Sequence, residues 1–260
     1  MERSELNFLM ELAIKAAQSA SSVLLEHLDK QNEALVIRAK RDGSLVSSAD
    51  MASHRIIQNI LADSGIPLIS EEGHLPAFSE RSTWPLYWLV DPLDGTESFL
   101  KNRSGFAINI ALCDQDGPFL GVVADPLEDR MYVGAQGIGT YVSGIQGLNR
   151  QKIVPLAVSK PYLLVTSWNE PLPWESLLPA HLNPKDFESQ PVSGALKFCQ
   201  VATGEADVHA RSGPYMEWDC AAGDGILRSM GLMVRDNTTH QPLRYNTMSL
   251  RVEGLWVSRI

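Results

Sequence analysis

The stretch WLVDPLDGTESF, Trp88 to Phe99, decides how the rest of this chain is read. Its apolar start, Trp88-Leu89-Val90, has the character of the end of a buried strand. Two carboxylates follow, Asp91 and Asp94, with Pro92 between them. Proline has no N–H to give to a sheet ladder, so the strand is expected to stop there. Gly95 then supplies a tight turn, Thr96 suits a helix N-cap, and Glu97 suits a first helical turn.

Asp91 and Asp94 stand three apart on a turning backbone, so both carboxylates can face one point. Two such anions a few ångströms apart repel by roughly 4 kcal/mol at an effective dielectric of about 20. A divalent cation turns that repulsion into attraction. Carboxylate oxygens suit magnesium, manganese or calcium rather than zinc. The amides of Gly95 and Thr96 face out of a helix start, a place where a phosphate can bind. The competing reading is a surface turn capped by two aspartates. The apolar strand before it, and carboxylates elsewhere in the chain, argue against that reading.

At 260 residues the chain can bury a large core, as one α/β unit or two closely packed ones. The formal net charge is −9 and no basic run occurs, which argues against a nucleic-acid polymer as partner. A small phosphorylated compound is still compatible, because a bound cation reverses the sign locally. Cys113, Cys199 and Cys220 lack zinc spacing and lie in apolar contexts. They read as buried free thiols in a reducing, cytoplasmic compartment. The N-terminus is amphipathic with charges throughout, unlike a signal peptide, and no segment reads as transmembrane.

Leu6, Leu9, Met10, Ala13, Ile14 and Ala17 open a long first helix, running to about His27. Lys40 to Ser44 is a polar turn, and a second helix runs from about Ala49 to Ser64. Asp50 falls at its start, where a cap is the plain role. A short strand, Ile66 to Ser70, ends in Glu71-Glu72. Carboxylates at the ends of two strands, here and at Asp91, can meet at one sheet edge, which makes Glu71 a candidate ligand. Strands at 106–112, 119–124, 130–134 and 139–142 form a meander, so the first half is helices on a largely antiparallel sheet.

Gly144 to Lys152 is a reasonable boundary, giving an N-terminal half of residues 1–150 and a smaller C-terminal α/β half of residues 151–260. The second half reads as a strand at Leu163 to Ser167, then a loop from Trp168 to Pro191. A helix at Gly194 to Thr203, a strand at Ala206 to Ala210, a helix at Trp218 to Met230 and a strand at Leu232 to Val234 follow. Asp219 opens the last helix, again with a cap as its plain role. The six histidines show no metal spacing and read as surface or incidental.

Four segments together resemble a known family: SSAD ending at Asp50, ISEEG around Glu71, the Trp88–Phe99 stretch, and EWDCAAG around Asp219. They resemble the lithium-sensitive, magnesium-dependent phosphatases of the inositol monophosphatase superfamily. The resemblance implies a layered αβαβα fold with the site between its halves. It implies two to three Mg²⁺ held by Glu71, Asp91, the backbone carbonyl of Leu93, Asp94 and Asp219. Asp50 and Thr96 would orient and deprotonate the attacking water, with Glu71 also in the catalytic set. Gly95 and Thr96 would hold the phosphate, and relatives are often monomers or dimers.

Within the superfamily, RDGSLVSSAD, SGALKFCQVATGEAD and SGPYMEWDCAAG look closer to the 3'(2'),5'-bisphosphate nucleotidases. That places Ser193, Gly194 and Lys197 at the substrate, with Lys197 either meeting a second phosphate or lying solvated on the surface. Inositol monophosphatases carry a glutamate seven residues before the Trp-Asp aspartate, and here that position is Ser212. The alternative is an inositol- or sugar-phosphate phosphatase, or a non-catalytic homologue that binds metal and phosphate. Two departures stand out. Glu97 replaces a usual lysine, and Ser44-Leu45-Val46-Ser47 lacks a usual proline and threonine.

Overall fold

The structure is a computed structural model describing residues 1–29, 37–39, 45–101, 105–147 and 149–260. The polar turn expected at Lys40 to Ser44 lies outside the described residues.

Helix α1 (Arg3–Asp29) is followed by a two-stranded ribbon of β1 (Ile37–Ala39) and β2 (Leu45–Ser47), then α2 (Ser48–Leu61). Next come β3 (Leu68–Ser70), a short α3 (Phe78–Arg81), β4 (Tyr87–Asp94) and α4 (Thr96–Lys101). The meander follows as β5 (Ala107–Asp114), β6 (Gly117–Asp125), β7 (Arg130–Ala135), β8 (Gly139–Ser143) and β9 (Gln151–Lys152). Strands β3 to β9 form one seven-stranded sheet in sequence order; β3 is parallel to β4 and every later neighbour is antiparallel.

The C-terminal half contains β10 (Tyr162–Thr166), β11 (Phe187–Pro191), α5 (Leu196–Thr203), β12 (Val208–Arg211), β13 (Tyr215–Met216) and α6 (Glu217–Arg228). It ends in β14 (Arg235–Asp236), β15 (Arg251–Val252) and β16 (Leu255–Ser258). Five strands make a mixed sheet in the order β11-β10-β12-β16-β14. Two expectations change here. The polar run Phe187–Pro191 is an edge strand parallel to β10 rather than loop, and β14 at Arg235–Asp236 takes the place of a strand at Leu232 to Val234.

Both faces of the large sheet are buried, which is why its strands read as continuous apolar runs. In β4, Trp88 and Val90 point into one core with α1 and α2, while Tyr87 and Leu89 point into a second core with α5 and α6. Beyond α5 and α6 lies the five-stranded sheet, whose far face is covered by the short 3₁₀ turn Trp174–Leu177. The layering is thus α, β, α, β and a thin outer cover.

By length and composition α1 could cross a membrane, but more than half of its most apolar window is buried inside the protein, packed on α2 and the sheet. It is a core helix, and its apolar stripe is the one read from sequence.

Helix α6 sits against the sheet at backbone contact distance. A Cβ on Gly121 of β6 would come within 1.9 Å of the Ala222 carbonyl oxygen. A Cβ on Gly225 would meet the Leu120 backbone at 2.8 Å. No side chain fits between helix and sheet at these two points, so glycine is required at both.

Strand β4 runs through Pro92 instead of stopping before it. Its pairing with β5 is regular up to Asp91 opposite Asn109, then shifts and resumes at Asp94 opposite Ala107. Pro92 lies in that bulge, where its missing N–H leaves no ladder bond unmade. Its carbonyl accepts from Ser53 Oγ of α2 at 2.7 Å.

Candidate active site

Parallel pairing brings the first two carboxylates together. Ser70 lies opposite Val90, and the Glu71 N–H donates to the Val90 carbonyl at 3.1 Å. Glu71 and Asp91 therefore leave neighbouring strands at the same level. The bulge after Asp91 turns the chain, and the Leu93 N–H donates back to Asp91 Oδ1 at 3.0 Å. Asp219 arrives from the other half on the first turn of α6, where its Oδ2 accepts from the Met216 N–H at 2.9 Å. Carboxylate oxygens of Glu71, Asp91 and Asp219 all lie within 4.8 Å of one another.

Asp94 stands beside this trio and is gripped separately. Its Oδ2 accepts from the Ala195 N–H at 2.6 Å and from Asn109 Nδ2 at 3.2 Å. Gly194, at φ +55, lies so close that a Cβ there would meet Oδ2 at 2.6 Å. Both hydrogen bonds fall on one oxygen, which orients the carboxylate and leaves Oδ1 outside them.

Crowding and burial mark the cluster electrostatically. Burial pushes Asp91 well above the usual carboxylate range, and Glu71, Asp94 and Asp219 push it further. Asp219 is raised by burial, then by Asp94 and Glu71. Asp94 is also raised by burial, partly offset by Lys197, Asn109 and the Ala195 amide. An all-oxygen set of mutually repelling carboxylates, with Asp91 buried and the others partly so, fits a hard divalent cation.

Asp50 is both cap and site residue. Its Oδ2 accepts from the Ser47 N–H at 2.8 Å and Ser47 Oγ at 2.6 Å, closing a capping box at the start of α2. Its Oδ1 accepts from Thr96 Oγ1 at 2.9 Å. Thr96 is thus no N-cap: it is the first residue of α4, and its hydroxyl reaches Asp50 and, at 3.3 Å, the Leu93 carbonyl. Gly95 forms the expected turn at φ +88.

A cavity of about 310 Å³ adjoins the carboxylates and includes Asp94 and Asp219 in its wall. Gly95 lines it from the turn before α4 and Glu97 from α4, Ser193, Gly194 and Lys197 from the approach to α5 and its first turn. Lys197 is no surface lysine: it is 1% exposed, donates to the Val192 carbonyl at 3.1 Å, and is lowered to about 8 by burial, with Asp94 opposing and Arg211 reinforcing the shift. Arg211, Tyr215 and Ser167 complete the inner wall. Arg211 Nη1 donates to Ser167 Oγ at 2.8 Å, and the guanidinium lies 4.3 Å from the centre of the Tyr215 ring.

Two histidines are also not at the surface. His209 is fully buried behind this wall, its Nδ1 paired with the Val165 carbonyl at 2.9 Å and its ring edge-on to Phe198. His54, one turn beyond Asp50, pairs Nδ1 with Ser70 Oγ at 2.9 Å, tying α2 to the strand that carries Glu71. Burial lowers both, so each stays neutral near pH 7.

Asn109, Arg211, Tyr215 and Ser167 were not anticipated. Arg211 follows the apolar strand Val208-His209-Ala210 as Glu71 and Asp91 follow theirs, and that same strand-end signal would have found it. Asn109 is a lone amide in an apolar strand, which requires a buried partner.

A carboxylate centre built from the ends of β3 and β4 and the start of α6, beside a cavity lined by Lys197 and Arg211, is the arrangement of a metal-dependent phosphatase. Residues 5–256 match the inositol monophosphatase family, and the chain belongs to that family. It is 33% identical over 231 residues to the 3'(2'),5'-bisphosphate nucleotidase CysQ of Shigella flexneri, covering 88% of this chain and 90% of that protein. The corresponding Salmonella typhimurium protein is 34% identical over the same shares. Among solved structures, CysQ from Bacteroides thetaiotaomicron superposes with a TM-score of 0.82 at 30% identity, covering 96% of each chain. An inositol monophosphatase from Anabaena shares the fold at a TM-score of 0.71 and 24% identity, covering 97% of this chain and 91% of that one.

Proposed function

We propose that this phosphatase is a magnesium-dependent 3'(2'),5'-bisphosphate nucleotidase, taking the 3'-phosphate from adenosine 3',5'-bisphosphate and leaving AMP. The observation that carries this reading is the convergence of Glu71, Asp91 and Asp219 on one point beside a cavity holding Lys197 and Arg211. The names of the similar proteins support the same substrate class.

Glu71, Asp91, Asp94, Asp219 and the Leu93 carbonyl would hold Mg²⁺. When bound, such ions lower the pKa of water and neutralise charge on the phosphoryl group. The chain's own residues do the rest. Thr96 Oγ1, held by Asp50, orients the attacking water, and Asp50 accepts its proton through that hydroxyl. The Gly95 and Thr96 amides face the phosphoryl oxygens. Lys197 and Arg211 supply positive charge for the second phosphate, which fixes the nucleotide in one orientation.

Ser212 supports a nucleotidase over an inositol phosphatase. Its N–H and Oγ both donate to the Glu170 carboxylate, at 3.1 and 2.5 Å, so no acid is free at this position to grip a polyol hydroxyl. Buried thiols and an acidic surface suit work in the cytoplasm.

The test is phosphate release from adenosine 3',5'-bisphosphate and from inositol 1-phosphate, each with Mg²⁺ and with chelator. Faster turnover of the nucleotide, lost on chelation, is expected. Preference for the inositol ester overturns the substrate, and no release from either ester favours a binding protein.

A further inference from the structure

Trp168 is 73% exposed at the mouth of the active-site cavity. A lone exposed leucine needs no explanation, but tryptophan presents one of the largest apolar faces available and is usually well covered. Most of the other side chains that line the cavity are polar or charged, Val192 and Pro214 being aliphatic. Its other aromatic ring, Tyr215, is 7% exposed, with the Arg211 guanidinium over it. Among the described residues that line it, Trp168 alone offers this cavity a flat, open aromatic surface.

The backbone carrying it is fastened on both sides. Before it, Ser167 Oγ accepts from Arg211 and lies 3.2 Å from the Tyr215 hydroxyl. After it, the Glu170 carboxylate accepts both donors of Ser212, and the Glu170 N–H closes a turn onto the Ser167 carbonyl at 3.2 Å. The backbone that carries the indole is therefore anchored to Arg211 and Tyr215, which line the cavity, and to Ser212.

We propose that Trp168 is the platform on which the aromatic base of a nucleotide substrate stacks, and so the residue that separates nucleotides from polyol phosphates. This rests on the phosphatase reading above. Every base has a π-face, so a stacking platform selects for aromaticity and not for one base. Bisphosphates of adenosine and of other nucleosides are then expected to have similar KM values.

The experiment compares wild type with Trp168→Phe and Trp168→Leu, with fold checked by circular dichroism. It reads kcat/KM for adenosine 3',5'-bisphosphate divided by kcat/KM for inositol 1-phosphate. The leucine variant, which keeps apolar bulk but not the π-face, is expected to lower that ratio on the order of tenfold, and phenylalanine to restore most of it. AMP binding by calorimetry is expected to weaken in parallel in the leucine variant. A nucleotide hydrolysed by wild type with the ratio and AMP affinity unchanged in Trp168→Leu overturns the platform alone. A wild type that hydrolyses only the inositol ester overturns the substrate reading and the platform with it.

Discussion

Thr96 and Asp50, 46 positions apart in the chain, share a 2.9 Å hydrogen bond between Oγ1 and Oδ1. The other oxygen of Asp50 is taken by two donors from Ser47. The carboxylate is thus fixed in rotation, and among the described residues the Thr96 hydroxyl links it to the active-site corner. The helix cap and the proposed proton acceptor are the same group.

Removing that link should spare ion binding and remove catalysis. Thr96→Val and Asp50→Asn are expected to lower kcat by about 10²- to 10⁴-fold, the range for losing a positioned base. Thr96→Ser should retain most activity. Phosphate-release kinetics measure the first effect, and the Mg²⁺-induced rise in Tm should persist in both inactive variants.

Asp91 gives the opposite pattern. Its folded-state pKa lies well above the ordinary value, so the folded protein holds a proton that the unfolded chain releases. Stability is then greatest below the ordinary aspartate pKa and falls as pH rises towards the raised one. Metal-free protein should lose Tm as pH rises above the ordinary aspartate pKa. Asp91→Asn should flatten the loss, raise metal-free Tm at pH 7.5, and abolish the Mg²⁺-induced shift. A metal-free Tm lower than wild type at that pH would contradict the account of crowded charge.

Lys197 sets a pH limit from the alkaline side. With its pKa lowered to about 8, the ammonium is present below that pH and lost above it. KM for a bisphosphate substrate should climb as pH passes about 8, and the rise should vanish in Lys197→Met. The linkage sign for stability is reversed: the folded state is penalised below pH 8 and recovers as pH approaches the ordinary lysine value. Lys197→Met should therefore be no less stable than wild type at pH 7 while binding the bisphosphate more weakly.

Gly194→Ala tests the placement of Asp94. The added methyl would stand 2.6 Å from Asp94 Oδ2, in a left-handed backbone conformation that alanine tolerates poorly. Mg²⁺ should be needed at higher concentration for half-maximal activity, with far-UV circular dichroism unchanged.

Much of this was legible in the primary structure, for physical reasons. Trp88 to Val90 read as buried because both sheet faces are covered, and Glu71 and Asp91 read as partners because each ends an apolar run. Pro92 misled, because a bulge between Asp91 and Asp94 removes the ladder bond that proline could not make. Strand β11 was hidden because Glu188, Ser189 and Gln190 are all exposed, so it carries no alternation. The burial of Lys197 had no local signal at all. It depends on Asp94, far earlier in the sequence, and on Asp219 of α6, which supply the charge that keeps an ammonium tolerable inside.

The glycine seat of α6 has a consequence for how the enzyme comes into being. Asp219 reaches Glu71 and Asp91 only when Gly121 and Gly225 let the helix settle onto the sheet. A chain halted before that settling would own most of the proposed ligands yet lack the convergence of Glu71, Asp91 and Asp219, so cation uptake would report completed docking of α6 onto the sheet.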